Sequence, residues 1–150
     1  MTFGISAQGT IVAVSPDPLW PDAVPQGGAV VYTDIAELGD LTPPGLSRNP
    51  IETTTHNEQD DRFIVGIRRK GDMSMNINFQ PQDPTHNDAT GLIKKWFDGS
   101  RNIYRVTFPD GSFWIFSGWV TNFEPDAPVD DRLSADVTIR PTGGTEFGEV

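Results

Sequence analysis

The residues able to do chemistry are few, and their spacing keeps them apart. The two histidines, His56 and His86, lie in the related stretches "THNEQDD" and "THNDAT". Each puts a histidine beside acids, the beginning of a metal site. Neither has zinc-ligand spacing, and neither supplies the closing bidentate glutamate of a calcium-binding hand. Both histidines are expected in solvated loops, with no metal. The adjacent carboxylates Asp60–Asp61 and Asp130–Asp131 do not make acid/base couples, because neighbours on an extended chain point to opposite faces. No serine sits in a G-x-S-x-G elbow. The C-terminal "PTGGTEFGEV" has glycines but no helix after them to receive a phosphate, and residues 143–150 read as a flexible tail. The chain has no cysteine, which removes thiolate ligands, cysteine nucleophiles and disulfides. A pair of carboxylates brought together from distant strands would still permit glycoside hydrolysis, but nothing in the sequence recommends it. The expectation is no catalytic residue and no cofactor.

The remaining candidate is the aromatic row "FWIFSGWV", residues 113–120. It is apolar on both faces. Trp114, Phe116 and Val120 share one face, and Phe113, Ile115 and Trp119 the other. One face belongs to the core. The second is core of a closed barrel, a contact between subunits, or a platform for a sugar or base. Large apolar patches on soluble proteins usually mark partners.

The elements carrying these residues read as mainly β. Thirteen prolines and fifteen glycines punctuate the whole chain, which suits turns between strands and not helices. "MSMNINF" alternates Met73, Met75, Ile77 and Phe79 against Ser74, Asn76 and Asn78. "LSADVTI" alternates Leu133, Ala135, Val137 and Ile139 against Ser134, Asp136 and Thr138. A period of two marks a half-buried strand. Further strands are expected at 9–14, 29–38, "RFIVGIRR" and "NIYRVTF", with a Pro-Asp-Gly turn at 109–111. One helix is expected over 88–98, with Asp88 as N-cap and Gly99 past its end. Its Leu92/Trp96 and Ile93/Phe97 pairs should face the sheet, with Lys94 and Lys95 turned away. A chain of 150 residues fits one domain, 1–150. The expected architecture is a small β-sandwich or partly open barrel with one flanking helix. Residues 1–28 form a proline-rich arm.

The formal charge of −10 disfavours tight binding to phosphate backbones or anionic lipid, while leaving brief passage of nucleic acid open. No run approaches the ~20 apolar residues of a membrane span, and the N-terminus lacks the pattern of a secretory signal.

One segment is too long for a simple connection. Residues 45–62 form a polar, charged excursion between strand-like ends, and a compact domain rarely needs so long a link. This excursion and the strands after it carry a resemblance. The features are "PGLSR-x-x-IETTT", the exit "G-x-R-x-x-G-x-x-S" into an alternating strand, and "FSGWVTNFEPDAPVDDRLSADVTIR-x-TG". In this order and spacing, over roughly residues 30–145, the chain resembles the major tail protein of long-tailed bacteriophages, the lambda-like tail tube family.

The resemblance implies a structural protein of the virion. Its subunits would close into six-membered rings whose sheets join around a channel, and the rings would stack into a tube through which DNA leaves. It implies as partners other copies of the chain and the tape measure, tail terminator and distal tail proteins. The 45–62 loop would reach the next ring, using Arg48, Glu52, Glu58, Asp60, Asp61 and Arg62 as charged contacts. It would gain order on assembly. Ser74, Asn76, Asn78, Ser134, Asp136 and Thr138 would face either the lumen or outer solvent. Two alternatives remain: a tube subunit of a contractile or type VI-like injection device, and a carbohydrate-binding or hydrolytic β-sandwich module.

Overall fold

The computed structural model describes residues 8–15 and 32–148. Its elements are β1 (Ile11–Val14), β2 (Thr33–Asp34), β3 (Leu38–Thr42), β4 (Leu46–Glu52), β5 (Phe63–Lys70), β6 (Met73–Asn78), α1 (Leu92–Asp98), β7 (Asn102–Thr107), β8 (Phe113–Asp126) and β9 (Ser134–Gly148). Seven strands form one antiparallel sheet in the order β2-β1-β7-β8-β9-β6-β3, and β4 and β5 form a separate two-stranded ribbon.

Alternation makes the large sheet. Met73, Met75 and Ile77 of β6 are buried, as are Ala135, Val137 and Ile139 of β9. Both strands pair with every buried residue opposite another, Met75 facing Val137 for example. The long strands β8 and β9 run side by side through the middle, with irregularities between Phe116 and Ser117 and between Val120 and Asn122. Such bulges bend a strand and increase its twist. The bent sheet gathers Val12, Tyr104, Val106, Phe116, Val120 and the inner residues of β6 and β9 into one cluster, with Leu92 from the helix. Tyr104 stacks on Phe116 at 6.0 Å between ring centres. The fold is therefore mainly β, of the sandwich or open-barrel class, with a single continuous sheet left open between β2 and β3.

The row 113–120 lies centrally, between β7 and β9. Phe116 is buried on one face and Ile115 on the other, whereas Trp119 beyond the first irregularity is 39% exposed. The core alternative thus holds for the middle of the row, and Trp119 is left at the surface.

Several expectations need correction. The helix begins at Leu92, not 88, and its N-cap is Gly91, not Asp88. A Cβ at Gly91 would lie 2.5 Å from the Asn87 nitrogen, so the close approach of the preceding turn requires glycine there. Asn87 Oδ1 accepts from the Thr90 and Gly91 amides and holds that turn. Gly99 ends the helix in the left-handed region at φ 63°, as expected. The stripe is rotated: Leu92 and Lys95 are buried, while Trp96 is 51% and Phe97 81% exposed. The buried Lys95 ammonium donates to the Thr90 carbonyl at 3.3 Å. His86 is not a solvated loop residue. It is buried, with Nδ1 accepting from the Gln80 amide at 3.2 Å and Nε2 donating to the Ala36 carbonyl at 2.7 Å. Residues 143–148 belong to β9 and are not a free tail. Of the expected strand 29–38, residues 29–31 lie outside the described residues, and strand structure covers only 33–34 and 38 within it. Of the arm 1–28, residues 1–7 and 16–28 also lie outside them.

Candidate assembly surfaces

The segment 45–62 is not simply a loop. Leu46–Glu52 is a strand, paired antiparallel with Phe63–Lys70. β-branched and aromatic residues favour this pairing: Ile51 faces Ile64, Pro50 faces Val65, and Glu52 faces Phe63. The register shifts between Arg48 and Pro50. There Gly66 passes so close to Asn49 that a Cβ would meet its carbonyl oxygen at 2.1 Å. Beyond the strands, the Thr53 amide donates to the Arg62 carbonyl and the Arg62 amide to Thr54 Oγ1. Arg62 also pairs with Glu58 at 3.0 Å.

The ribbon hides almost none of its apolar surface. Leu46, Ile51, Phe63, Ile64, Val65 and Ile67 are between 50% and 76% exposed. Leu46, Val65 and Phe63 follow one face of the pleat, and Ile51 and Ile64 the other. An isolated two-stranded ribbon is marginal in water. Here both faces carry large apolar side chains that are left exposed among the described residues.

Charge is segregated along the ribbon. Arg48, Arg68, Arg69 and Lys70 occupy its base, while Glu52, Glu58, Asp60 and Asp61 lie at its far end. The six expected inter-ring residues are therefore divided, with Arg48 near the base and the other five near the tip. The base borders a groove of about 610 Å³, formed with Gly143 and Phe147 of β9. Lys70 Nζ donates to the Gly143 carbonyl and ties the ribbon to the sheet. Partial burial, and then the neighbouring Arg68 charge, hold the Lys70 pKa below the usual lysine value.

The six other expected residues come together as three opposed pairs on one face: Ser74 with Thr138, Asn76 with Asp136, and Asn78 with Ser134. Asn76 Nδ2 donates to Asp136 Oδ1 at 2.8 Å, and Arg132 Nη2 donates to Asn76 Oδ1 at 2.9 Å. The face continues into β8, where Asn122, Glu124 and Asp126 stand opposite Thr138, Asp136 and Ser134. It ends with the Asp72–Arg140 pair at 3.0 Å. Sequence reasoning missed Glu124 and Asp126, although "NFEPD" shows the required alternation. It also missed the cations Arg68, Arg69 and Lys70, because "RFIVGIRRK" has the pattern of an ordinary strand.

Among the described residues no group of His, Asp or Glu is placed to hold a metal. No helix among them is long and apolar enough to cross a membrane. What the geometry provides among the described residues is two surfaces, one apolar and exposed, one polar with more acids than cations.

Comparison with known proteins identifies the fold and the family. The family described as lambda phage tail tube protein matches residues 22–148. No curated protein sequence matches the chain. Among solved structures, a chain from the tail of an empty gene transfer agent particle, refined helically with C6 symmetry, superimposes with TM-score 0.71 at 15% identity. The match covers 97% of this chain and 99% of the other. A chain from the sheath/tube terminator of an extracellular contractile injection system, in the extended state, gives 0.71 at 11%, covering 98% of each. The SPP1 tail tube gives 0.65 at 10%, covering 98% of this chain and 80% of the other. The fold is thus shared with chains of a gene transfer agent tail, a phage tail tube and a contractile injection system. The chain belongs to the lambda phage tail tube protein family, and its role is that of a structural tube protein of the virion tail.

Proposed function

We propose that copies of this chain close into six-membered rings and stack into the tail tube, with the β4–β5 ribbon crossing from each ring to the next. The observation that carries this is the ribbon itself, whose two apolar faces are exposed in the single chain. At roughly 25 cal/mol per Å² of apolar area, covering them on a neighbour would drive stacking. The separated charges, with Arg48 near the base and Glu52, Glu58, Asp60, Asp61 and Arg62 near the tip, would fix register and reject wrong partners. The exposed Trp96 and Phe97 offer a second apolar contact, suited to a neighbour within the ring.

In this reading the face of Ser74, Asn76, Asn78, Ser134, Asp136 and Thr138, extended by Glu124 and Asp126, lines the lumen. Its carboxylates would repel DNA phosphates over a screening length of about 8 Å at physiological salt, so DNA passes without sticking. The chain performs no catalysis and holds no cofactor. The tape measure would occupy the lumen before ejection, and the terminator and distal tail proteins would cover the two ends.

The test is a double substitution, Ile51→Ser with Ile64→Ser, on the distal half of the ribbon. The expected outcome is an unchanged circular dichroism spectrum and the loss of tubes in negative-stain electron micrographs. Tubes as long and as numerous as those of the parent chain would overturn the stacking role.

A further inference from the structure

The groove at the ribbon base is apolar in the middle and basic at the rim. Leu46 is 59% and Phe147 54% exposed, and Arg48, Arg68 and Lys70 share the ribbon face of Leu46. None of its described lining side chains is a carboxylate. In a chain of charge −10, three of the eleven cations gather on that face.

The matching shape lies at the other end of the sheet. The turn between β8 and β9 carries Val129 at its tip, fully exposed, between Asp126 and the pair Asp130–Asp131. Among the described residues neither Asp130 nor Asp131 joins an ion pair. The turn's own cation, Arg132, is engaged with Asn76. This turn is an apolar knob with acids beside it, complementary to the groove in both respects.

One copy cannot make this contact with itself. β8 and β9 are antiparallel, so the turn lies beyond the Asp126–Ser134 pair while the groove lies at Gly143 and Phe147. Nine residue steps from Ser134 to Gly143 span roughly 30 Å in a strand. Opposite ends of one molecule meet only in a head-to-tail, heterologous association, the kind that builds rings and filaments.

We infer that the β8–β9 turn of one copy docks into the ribbon-base groove of the next, with Val129 against Leu46 and with Asp130 and Asp131 against Arg48 and Arg68, which share the face of Leu46. This rests on the tube-forming reading and adds the identity of one contact within it. The tip of the ribbon is a weaker occupant. It is acidic, but Glu58 is already paired with Arg62, and residues 53–61 include no large apolar side chain to fill the groove.

Because the chain has no cysteine, cross-linking reads the contact directly. Val129→Cys and Leu46→Cys proteins, made separately with tags of different size, are mixed at assembling concentration and oxidised. Mixed disulfide dimers are expected at least several-fold above either homodimer. Mixed dimers no more abundant than homodimers overturn the contact, even if tubes form, and the tube-forming reading then survives without it. Mixed dimers without tubes support the contact while counting against the tube. Charge reversal gives an independent check. Asp130→Lys with Asp131→Lys, or Arg48→Glu with Arg68→Glu, should each cut assembly about tenfold at unchanged melting temperature. Combining the two pairs should restore it. Assembly indifferent to either pair overturns the proposal.

Discussion

The large sheet and the β4–β5 ribbon use similar residues to opposite ends. In the sheet, Met73, Met75, Ile77, Val137 and Ile139 alternate with polar residues, and each is buried at 3% exposure or less. In the ribbon, Ile51, Ile64, Val65 and Ile67 are as apolar, yet none is buried. The difference is in periodicity. One face of the sheet is entirely apolar and meets a core, whereas the ribbon spreads apolar residues over both faces and so cannot satisfy itself by packing one side. The sheet is stabilised within the chain, whereas the ribbon's apolar side chains are exposed among the described residues. Fold and assembly are thereby separable: mutations in the first should unfold the subunit, and mutations in the second should leave it folded and alone.

The sharpest way to break this comparison is at its two extremes. Phe116 is fully buried and stacked on Tyr104, so Phe116→Ala should cost roughly 3–5 kcal/mol by chemical denaturation. The Ile51→Ser/Ile64→Ser ribbon variant should change the same measurement by no more than about 0.5 kcal/mol. A comparable loss in both would mean that the ribbon is part of the subunit's own stability, and the division would fail.

The helix offers the next contrast, because it contains both kinds of residue within one turn. Leu92→Ala should cost roughly 2–4 kcal/mol, since Leu92 joins the core cluster. Trp96→Ala should cost less than about 1 kcal/mol despite its size, because half of the side chain is in solvent. Equal losses would show that Trp96 packs as the sequence pattern suggested.

That pattern failed for an identifiable reason. Leu92, Ile93, Trp96 and Phe97 make an acceptable apolar stripe, but so does a stripe turned by part of a turn with Lys95 inside. Periodicity gives the existence of a face and fixes its direction only when the polar residues cannot be buried. A lysine can be, if its stem packs and its amine finds a carbonyl, as Lys95 finds that of Thr90. His86 escaped notice similarly. Its neighbours Thr85 and Asn87 are polar, while its partners, the Gln80 amide and the Ala36 carbonyl, belong to the backbone and leave no trace in residue types. The strands β6 and β9 were legible because their alternation is strict, and the six residues expected on one polar face do share it. The first strand of the ribbon resembles a loop in sequence because charge and proline hide its pairing. The ribbon's exposure could not be read at all, since Phe63–Lys70 looks like any buried strand, and only the structure leaves it uncovered among the described residues.

The smallest expected effect tests whether Lys95 is tolerated or useful. Burial, and then the adjacent Lys94 charge, lower its pKa from the usual lysine value. Folding therefore disfavours its proton. The unfolded chain keeps that proton up to about pH 10.4, whereas the folded chain gives it up sooner. Between those two values the unfolded state binds more protons, so stability rises with pH there, and below the folded value the full cost is present. Lys95→Met retains the stem and removes the charge. Thr90 is exposed, so water can replace the lost donor at its carbonyl. Stability at neutral pH should increase by about 1 kcal/mol, or roughly 2–4 °C in melting temperature, and the alkaline rise attributable to this amine should vanish. A drop in melting temperature would mean that the Thr90 bond outweighs desolvation. The helix would then owe its rotated placement to the lysine itself, and the exposed Trp96 and Phe97 would be a consequence of seating an amine.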